Sequence, residues 1–232
     1  MARFVLIPGA GGEAWVWHRL VEELERRGHS AVAVDLMEDD PNLGLEDYAR
    51  QVLEAVDGDP ETVVVALSMG AFTAAVVAER APLRGLVLLN PMTPLPGETP
   101  GGWWEATGQP QAREAADLAA GRDRQWSEET HFFHDLPDDL RRIARTGGRA
   151  PSATPFGQPA EFTAWPPIPM KVIVGRDDRF FPLEFQQRVI AERLGTAPEV
   201  MGGGHLLALS RPDELADRLE VFLAETAANR RR

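Results

Sequence analysis

The stretch Thr62-Val63-Val64-Val65-Ala66-Leu67-Ser68-Met69-Gly70 limits the fold more than any other part of the chain. The run is apolar without alternation, so both faces of the strand it forms must be buried. That is the mark of a parallel sheet covered by helices on both sides. The run ends at Ser68, and a helical pattern follows at once. The strand must turn sharply into a helix with a serine at the apex. Such a turn strains the serine backbone, and the residues two before and two after it must be small. Ala66 and Gly70 occupy those places. The strain lifts the Ser68 hydroxyl clear of the sheet, and the helix start presents the Met69 N–H and a positive dipole end to a developing oxyanion. An ordinary N-capping serine would give the same pentapeptide, so the rest of the chain must decide.

The rest of the chain repeats this strand–helix alternation. The pattern predicts strands at Arg3–Ile7, Ala31–Asp35, Thr62–Leu67, Gly85–Asn90, Met170–Gly175 and Ala197–Met201. Helices are predicted over Ala14–Arg27, Leu45–Asp57, Met69–Ala81, Pro182–Leu194 and Pro212–Thr226. Right-handed crossovers make this an α/β fold, a doubly wound, mostly parallel sheet of about six strands, with the strand C-termini along one edge. Residues 91–168 break the alternation with prolines, glycines and tryptophans, and only two helices are predicted there, near Gln111–Ala120 and Pro137–Thr146. The expected organisation is a core of residues 1–90 and 169–232, with a small helical cap inserted at 91–168.

Composition narrows the partners. At 232 residues and 44% hydrophobic content the chain fits one domain with a packed core. A net charge of −12 argues against nucleic acid and anionic membranes. No apolar run is long enough to span a bilayer. The N-terminus enters a strand directly, so no signal peptide is expected. With no cysteine, disulfides, a thiolate nucleophile and zinc–thiolate sites are excluded, which fits a cytoplasmic protein. No His/Asp/Glu cluster has ligand spacing, so no metal is expected, and no cofactor either. The loop Pro8-Gly9-Ala10-Gly11-Gly12 lacks the third glycine of a dinucleotide fingerprint and the Lys-Ser/Thr pair of a P-loop. Its glycines would instead let backbone N–H groups approach a substrate oxygen.

A serine nucleophile needs an imidazole to take its proton and a carboxylate to fix the imidazole tautomer. His205 follows the last strand in the flexible run Gly202-Gly203-Gly204. The acid should follow the preceding strand, where Asp177 and Asp178 compete. In the cap, Trp103, Trp104 and Trp126 either line an apolar pocket or form the cap's own core. Trp15 and Trp17 are expected to pack under the cap near the entrance. His134 is a candidate substrate contact, and His131 is expected at the surface.

Four motifs in one order resemble the α/β-hydrolase superfamily over nearly the whole chain: Pro8-Gly9-Ala10-Gly11-Gly12, Ala66-Leu67-Ser68-Met69-Gly70, Gly175-Arg176-Asp177-Asp178 continuing to Pro182, and Gly203-Gly204-His205. Ala14-Trp15-Val16-Trp17-His18 is similar to the plant methylesterase and hydroxynitrile lyase branch, and the cap around Phe132-Phe133-His134-Asp135 and Thr154-Pro155-Phe156 resembles its bacterial relatives. The resemblance implies a catalytic set of Ser68, Asp178 and His205, and it picks Asp178 over Asp177. Gly9, Ala10 and Met69 then form the oxyanion site, with Trp104 and His134 as substrate contacts. The initial hairpin of the family is absent, and Pro8-Gly9 replaces its common His-Gly. Lyases of this branch carry a threonine in the oxyanion loop and a lysine after the catalytic histidine, where this chain has Gly9 and Leu206. The expectation is an esterase for small apolar carboxylic esters. A lyase, C–C hydrolase or perhydrolase using the same triad, or a ligand receptor on the same fold, are the alternatives, and a homodimer is left open.

Overall fold

A computed structural model describes residues 1–146 and 148–229. Six strands form one sheet: β1 (Arg3–Ile7), β2 (Ser30–Ala33), β3 (Thr62–Leu67), β4 (Gly85–Leu89), β5 (Met170–Gly175) and β6 (Glu199–Met201). Every pairing is parallel, in the order β2-β1-β3-β4-β5-β6. The helices are α1 (His18–Arg26), α2 (Leu45–Val56), α3 (Gly70–Arg80), α4 (Pro100–Thr107), α5 (Gln109–Ala119), α6 (Glu128–His131), α7 (Asp138–Ala144), α8 (Thr154–Gly157), α9 (Leu183–Leu194), α10 (Leu207–Ser210) and α11 (Pro212–Asn229).

The unalternated strands give the sheet two cores. Successive side chains point to opposite faces. Val64, Ala66, Leu86, Leu88, Val172 and Val174 face one way and pack with α2, α3 and α9. Val63, Val65, Leu67, Val87, Leu89 and Ile173 face the other way and pack with α1 and α11. Each buried aliphatic side chain contributes about 1.5–3 kcal/mol, so the sheet is a firm base for whatever its loops carry. Among the described residues no helix is long and apolar enough to cross a membrane.

Sequence and structure differ at the margins. β2 begins a residue before the predicted strand and ends at Ala33. Val34 N–H still donates to Leu6 O at 3.0 Å, after which the chain leaves the edge of the sheet. The predicted first helix divides into a 3₁₀ turn at Ala14–Trp17 and α1. Residues 91–168 carry α4 to α8 and, among the described residues, no strand. Of these, α4, α6 and α8 were not legible as periodic patterns. α4 did carry a start signal, because Thr99 Oγ1 accepts from Gly102 N–H and Pro100 fills the first turn.

Candidate active site

The strand order reverses at β1, which has β2 on one side and β3 on the other. Beyond the strand C-termini at such a switch point the connections diverge and leave a crevice, the usual place for a ligand. The register pairs Ile7 with Ala66, so the loop after β1 and the turn after β3 emerge side by side.

Ser68 occupies that turn with φ of +51°, one of three non-glycine residues in the left-handed region among those described. Such a conformation costs about 1–3 kcal/mol and persists only where the surroundings enforce it. Here they do. Ser68 N–H donates to Leu89 O at 3.0 Å, and Ser68 O accepts from Ala71 N–H at 3.1 Å and Met92 N–H at 3.0 Å. The small residue required two positions on has a direct cause, because a Cβ on Gly70 would lie 2.4 Å from the Pro8 carbonyl oxygen. Ala66 is fully buried beneath the turn.

The neighbouring loop is closed by Gly12 N–H donating to Gly9 O at 3.0 Å. Gly11 N–H donates to Glu38 Oε2 at 2.8 Å. Glu38 is only 2% exposed. Burial pushes its carboxyl up to about 8, against the opposing pulls of the Gly11 N–H and the Arg149 charge. Ala10 and Met69 N–H make no backbone hydrogen bond among the described residues outside helices and strands. Both residues line a cavity of about 440 Å³ together with Gly9, Ser68 and His205.

Asp178 and His205 are brought together from two loops. His205 Nδ1 lies 2.7 Å from Asp178 Oδ2, and both residues are buried. A carboxylate only accepts, so Nδ1 carries a proton, and in the neutral imidazole Nε2 is the acceptor. Asp178 Oδ1 accepts from Phe180 N–H at 2.8 Å and Phe181 N–H at 2.9 Å, which fixes the carboxylate plane. Asp177 is exposed, yet its Oδ2 accepts from Gly203 N–H at 2.9 Å and tethers the histidine loop. No hydrogen bond joins Ser68 and His205. Contacts of this kind often close only when substrate is bound.

The aromatic residues divide. Trp104 lines the cavity with Trp15, Trp126, Phe132 and Phe180. Trp103 is fully buried, packs at 5.4 Å from Phe181 and donates through Nε1 to Thr93 O, so it belongs to the core. Trp17 is likewise fully buried, against the α1 and α11 face rather than at an entrance.

Two histidine expectations need correction. His134 does not line the cavity. Its Nε2 is buried without a partner beside Gly204, and burial pulls its imidazole below the ordinary range against the Asp135 charge. His131 is fully buried rather than superficial, with Nε2 3.0 Å from Asp117 Oδ2. Arg113 and Arg122 also donate to that carboxylate. Burial would raise Asp117, but the His131 and Arg122 hydrogen bonds outweigh it and hold it low.

Three polar residues at the site were missed. Asn90, fully buried, accepts from Gly175 N–H at 2.8 Å and donates to the carbonyls of Gly204 and His205 at 3.2 and 2.8 Å. Its position closing an apolar strand was the available signal. Asp135 and Glu38 sit in irregular stretches where spacing says nothing.

Known proteins resemble this chain to different extents. Norfluorocurarine synthase 1 from Strychnos nux-vomica is 36% identical over 89 residues, 34% of this chain and 34% of its own length. The match thus spans about a third of that relative. Alpha-hydroxynitrile lyase from Arabidopsis thaliana is 22% identical over 96% of this chain and 97% of its own. Methylesterase 7 from the same plant is 34% identical over 35% of this chain and 36% of its own. Among solved structures, polyneuridine aldehyde esterase superposes with a TM-score of 0.75 at 20% identity, covering 94% of this chain and 98% of the other. A pyrethroid hydrolase from Sphingobium faniae JZ-2 gives 0.72 at 21% identity, covering 95% and 96%. Those two likenesses show the fold. A model of the alpha/beta hydrolase family matches residues 4–218, nearly the whole sheet and its loops. With that match added to six parallel strands and a serine turn at their switch point, the chain belongs to the alpha/beta hydrolase family.

Proposed function

We propose that this protein is a serine hydrolase of small, mostly apolar carboxylic esters. One observation carries the reading: a serine held at positive φ and a histidine bonded to a buried aspartate open onto the same aromatic cavity. Ser68 Oγ attacks the ester carbonyl while His205 Nε2 takes its proton. Asp178 keeps the imidazole in the required tautomer and stabilises the cation. Ala10 and Met69 N–H groups receive the oxyanion, and the Met69 donor lies at the start of α3. His205 then protonates the leaving alcohol, and water releases the acyl group by the same steps in reverse. Residues 91–168 serve as a cap over residues 1–90 and 169–232. The absence of cysteine fits work in the cytoplasm.

The hydroxynitrile lyase relative supplies the second reading. Leu206 follows His205 and lines the cavity, so the position after the histidine supplies no cation to stabilise departing cyanide. The deciding experiment measures p-nitrophenol release from the butyrate ester beside cyanide release from racemic mandelonitrile, with Ser68→Ala as control. Ester turnover that depends on Ser68, with cyanide at background, is expected. Cyanide release lost in Ser68→Ala, without ester turnover, overturns the proposal.

A further inference from the structure

We infer that Asp135 is a positioning residue for His205, through which residues 91–168 set the reach of the base. The inference rests on the hydrolase reading above.

Gly204, the residue before His205, donates its N–H to Asp135 Oδ2 at 2.7 Å. The other restraints on this loop, Asp177 on Gly203 N–H and Asn90 on the two carbonyls, come from the strand ends. Of these three, only Asp135 comes from residues 91–168. The fit is close. A Cβ on Gly204 would lie 2.8 Å from both Asp135 Oδ1 and His134 Nε2, so a side chain there would have to displace those two groups from the loop. Three residues earlier, Phe132 stacks on the His205 ring with centroids 5.0 Å apart and planes at 24°. The stretch Phe132–Asp135 therefore holds His205 by its ring and the residue before it by its backbone.

The stretch is itself braced. Arg141 donates to the carbonyls of Phe133, His134 and Leu136 at 3.2, 3.3 and 3.3 Å. Asp135 Oδ1 is buried with no partner. A half-buried carboxylate with its buried oxygen unpaired is a poor device for stability. Its one bond falls on the Gly203–Gly204 peptide unit, one unit before His205. A shift of about 1 Å in a catalytic group can cost on the order of 100-fold in rate.

The test compares Asp135→Ala, Asp135→Asn and Arg141→Gln by three readouts. These are kinetics on p-nitrophenyl butyrate, the rate of fluorophosphonate labelling at Ser68, and the far-downfield proton resonance of His205 Nδ1–H. Asp135→Ala should lower kcat about 10- to 100-fold with KM within about twofold, and slow labelling to match. Asp135→Asn keeps an acceptor for Gly204 N–H and should restore most of both. Arg141→Gln should give a smaller loss of the same kind, and it serves if Asp135→Ala does not fold. The resonance should persist in Asp135→Asn and weaken or vanish in Asp135→Ala. Unchanged kcat, labelling and resonance in folded Asp135→Ala or Arg141→Gln overturn the inference, even if either variant melts at lower temperature. If the wild-type protein neither labels nor turns over ester, the hydrolase reading fails, and the resonance still decides the role of Asp135.

Discussion

The two walls of the cavity are built on different principles. The sheet-edge wall is set by backbone: Gly9, Ala10, Ser68 and Met69 are small or contribute main-chain groups, and their places follow from parallel strands ending side by side. The opposite wall comes from residues 91–168, with Trp104 on α4 and Trp126 and Phe132 on the irregular segments either side of α6. Its shape depends on which large side chains happen to pack, as the different fates of the neighbours Trp103 and Trp104 show. On the hydrolase reading proposed above, the contrast gives chemistry to the rigid strand ends and substrate choice to the aromatic wall.

Substitutions can break or sharpen that division. The largest effect is expected from Ser68→Ala, which should cost about 10⁴-fold or more in kcat with the fold intact. Near-wild-type hydrolysis by the purified variant would remove the sheet edge from the chemistry. Asp178→Asn should follow at up to about 10⁴-fold, because an amide favours the wrong imidazole tautomer. Asp177→Asn retains an acceptor for Gly203 N–H and should cost little. Steady-state kinetics ranking the two the other way would transfer the acid role to Asp177.

Glu38→Gln tests the support of the backbone wall. A carboxyl raised from 4.5 to about 8 by folding stabilises the protein while protonated. That contribution is whole below 4.5 and is lost as pH climbs towards about 8. The glutamine variant keeps an acceptor for Gly11 N–H without the ionisation. Denaturant unfolding from pH 5 to 9 should therefore show its stability gaining on the wild type by a few kcal/mol, to order of magnitude. A constant gap across that range would mean Glu38 is not held protonated. The smallest effect is expected from the aromatic wall. Trp104→Ala should raise KM for the butyrate ester about 3- to 10-fold, the loss of one aromatic contact, with kcat within about twofold. A collapse of kcat instead would show that this wall, too, shapes the reaction.

Legibility followed the same division. Arg3–Ile7, Thr62–Leu67 and Met170–Gly175 appear with the boundaries read from sequence, because burial on both faces leaves an unbroken apolar run. The turn residues around Ser68 were legible because their size is set by a single clash, that of Gly70 with the Pro8 carbonyl. His131 was misplaced because a histidine on a short helix looks the same whether it faces water or Asp117. His134 was assigned to substrate, and nothing local shows that its Nε2 lies against Gly204.

The amino-acid sequence by itself determined the alternation of buried strands and helices, the sharp turn at Ser68, and a histidine and an aspartate pair on loops at the same edge. Those are local consequences of side-chain size, apolar periodicity and glycine placement, which act over a few residues. The tertiary structure decided the rest. It placed Asp178 rather than Asp177 on His205 Nδ1, buried Glu38 beneath the loop after β1, and set Asn90 and Asp135 against the histidine loop. The partners in these contacts are 27 to 115 residues apart. Each depends on which hydrogen-bonding group packing leaves opposite another, and no short window of the chain carries that information.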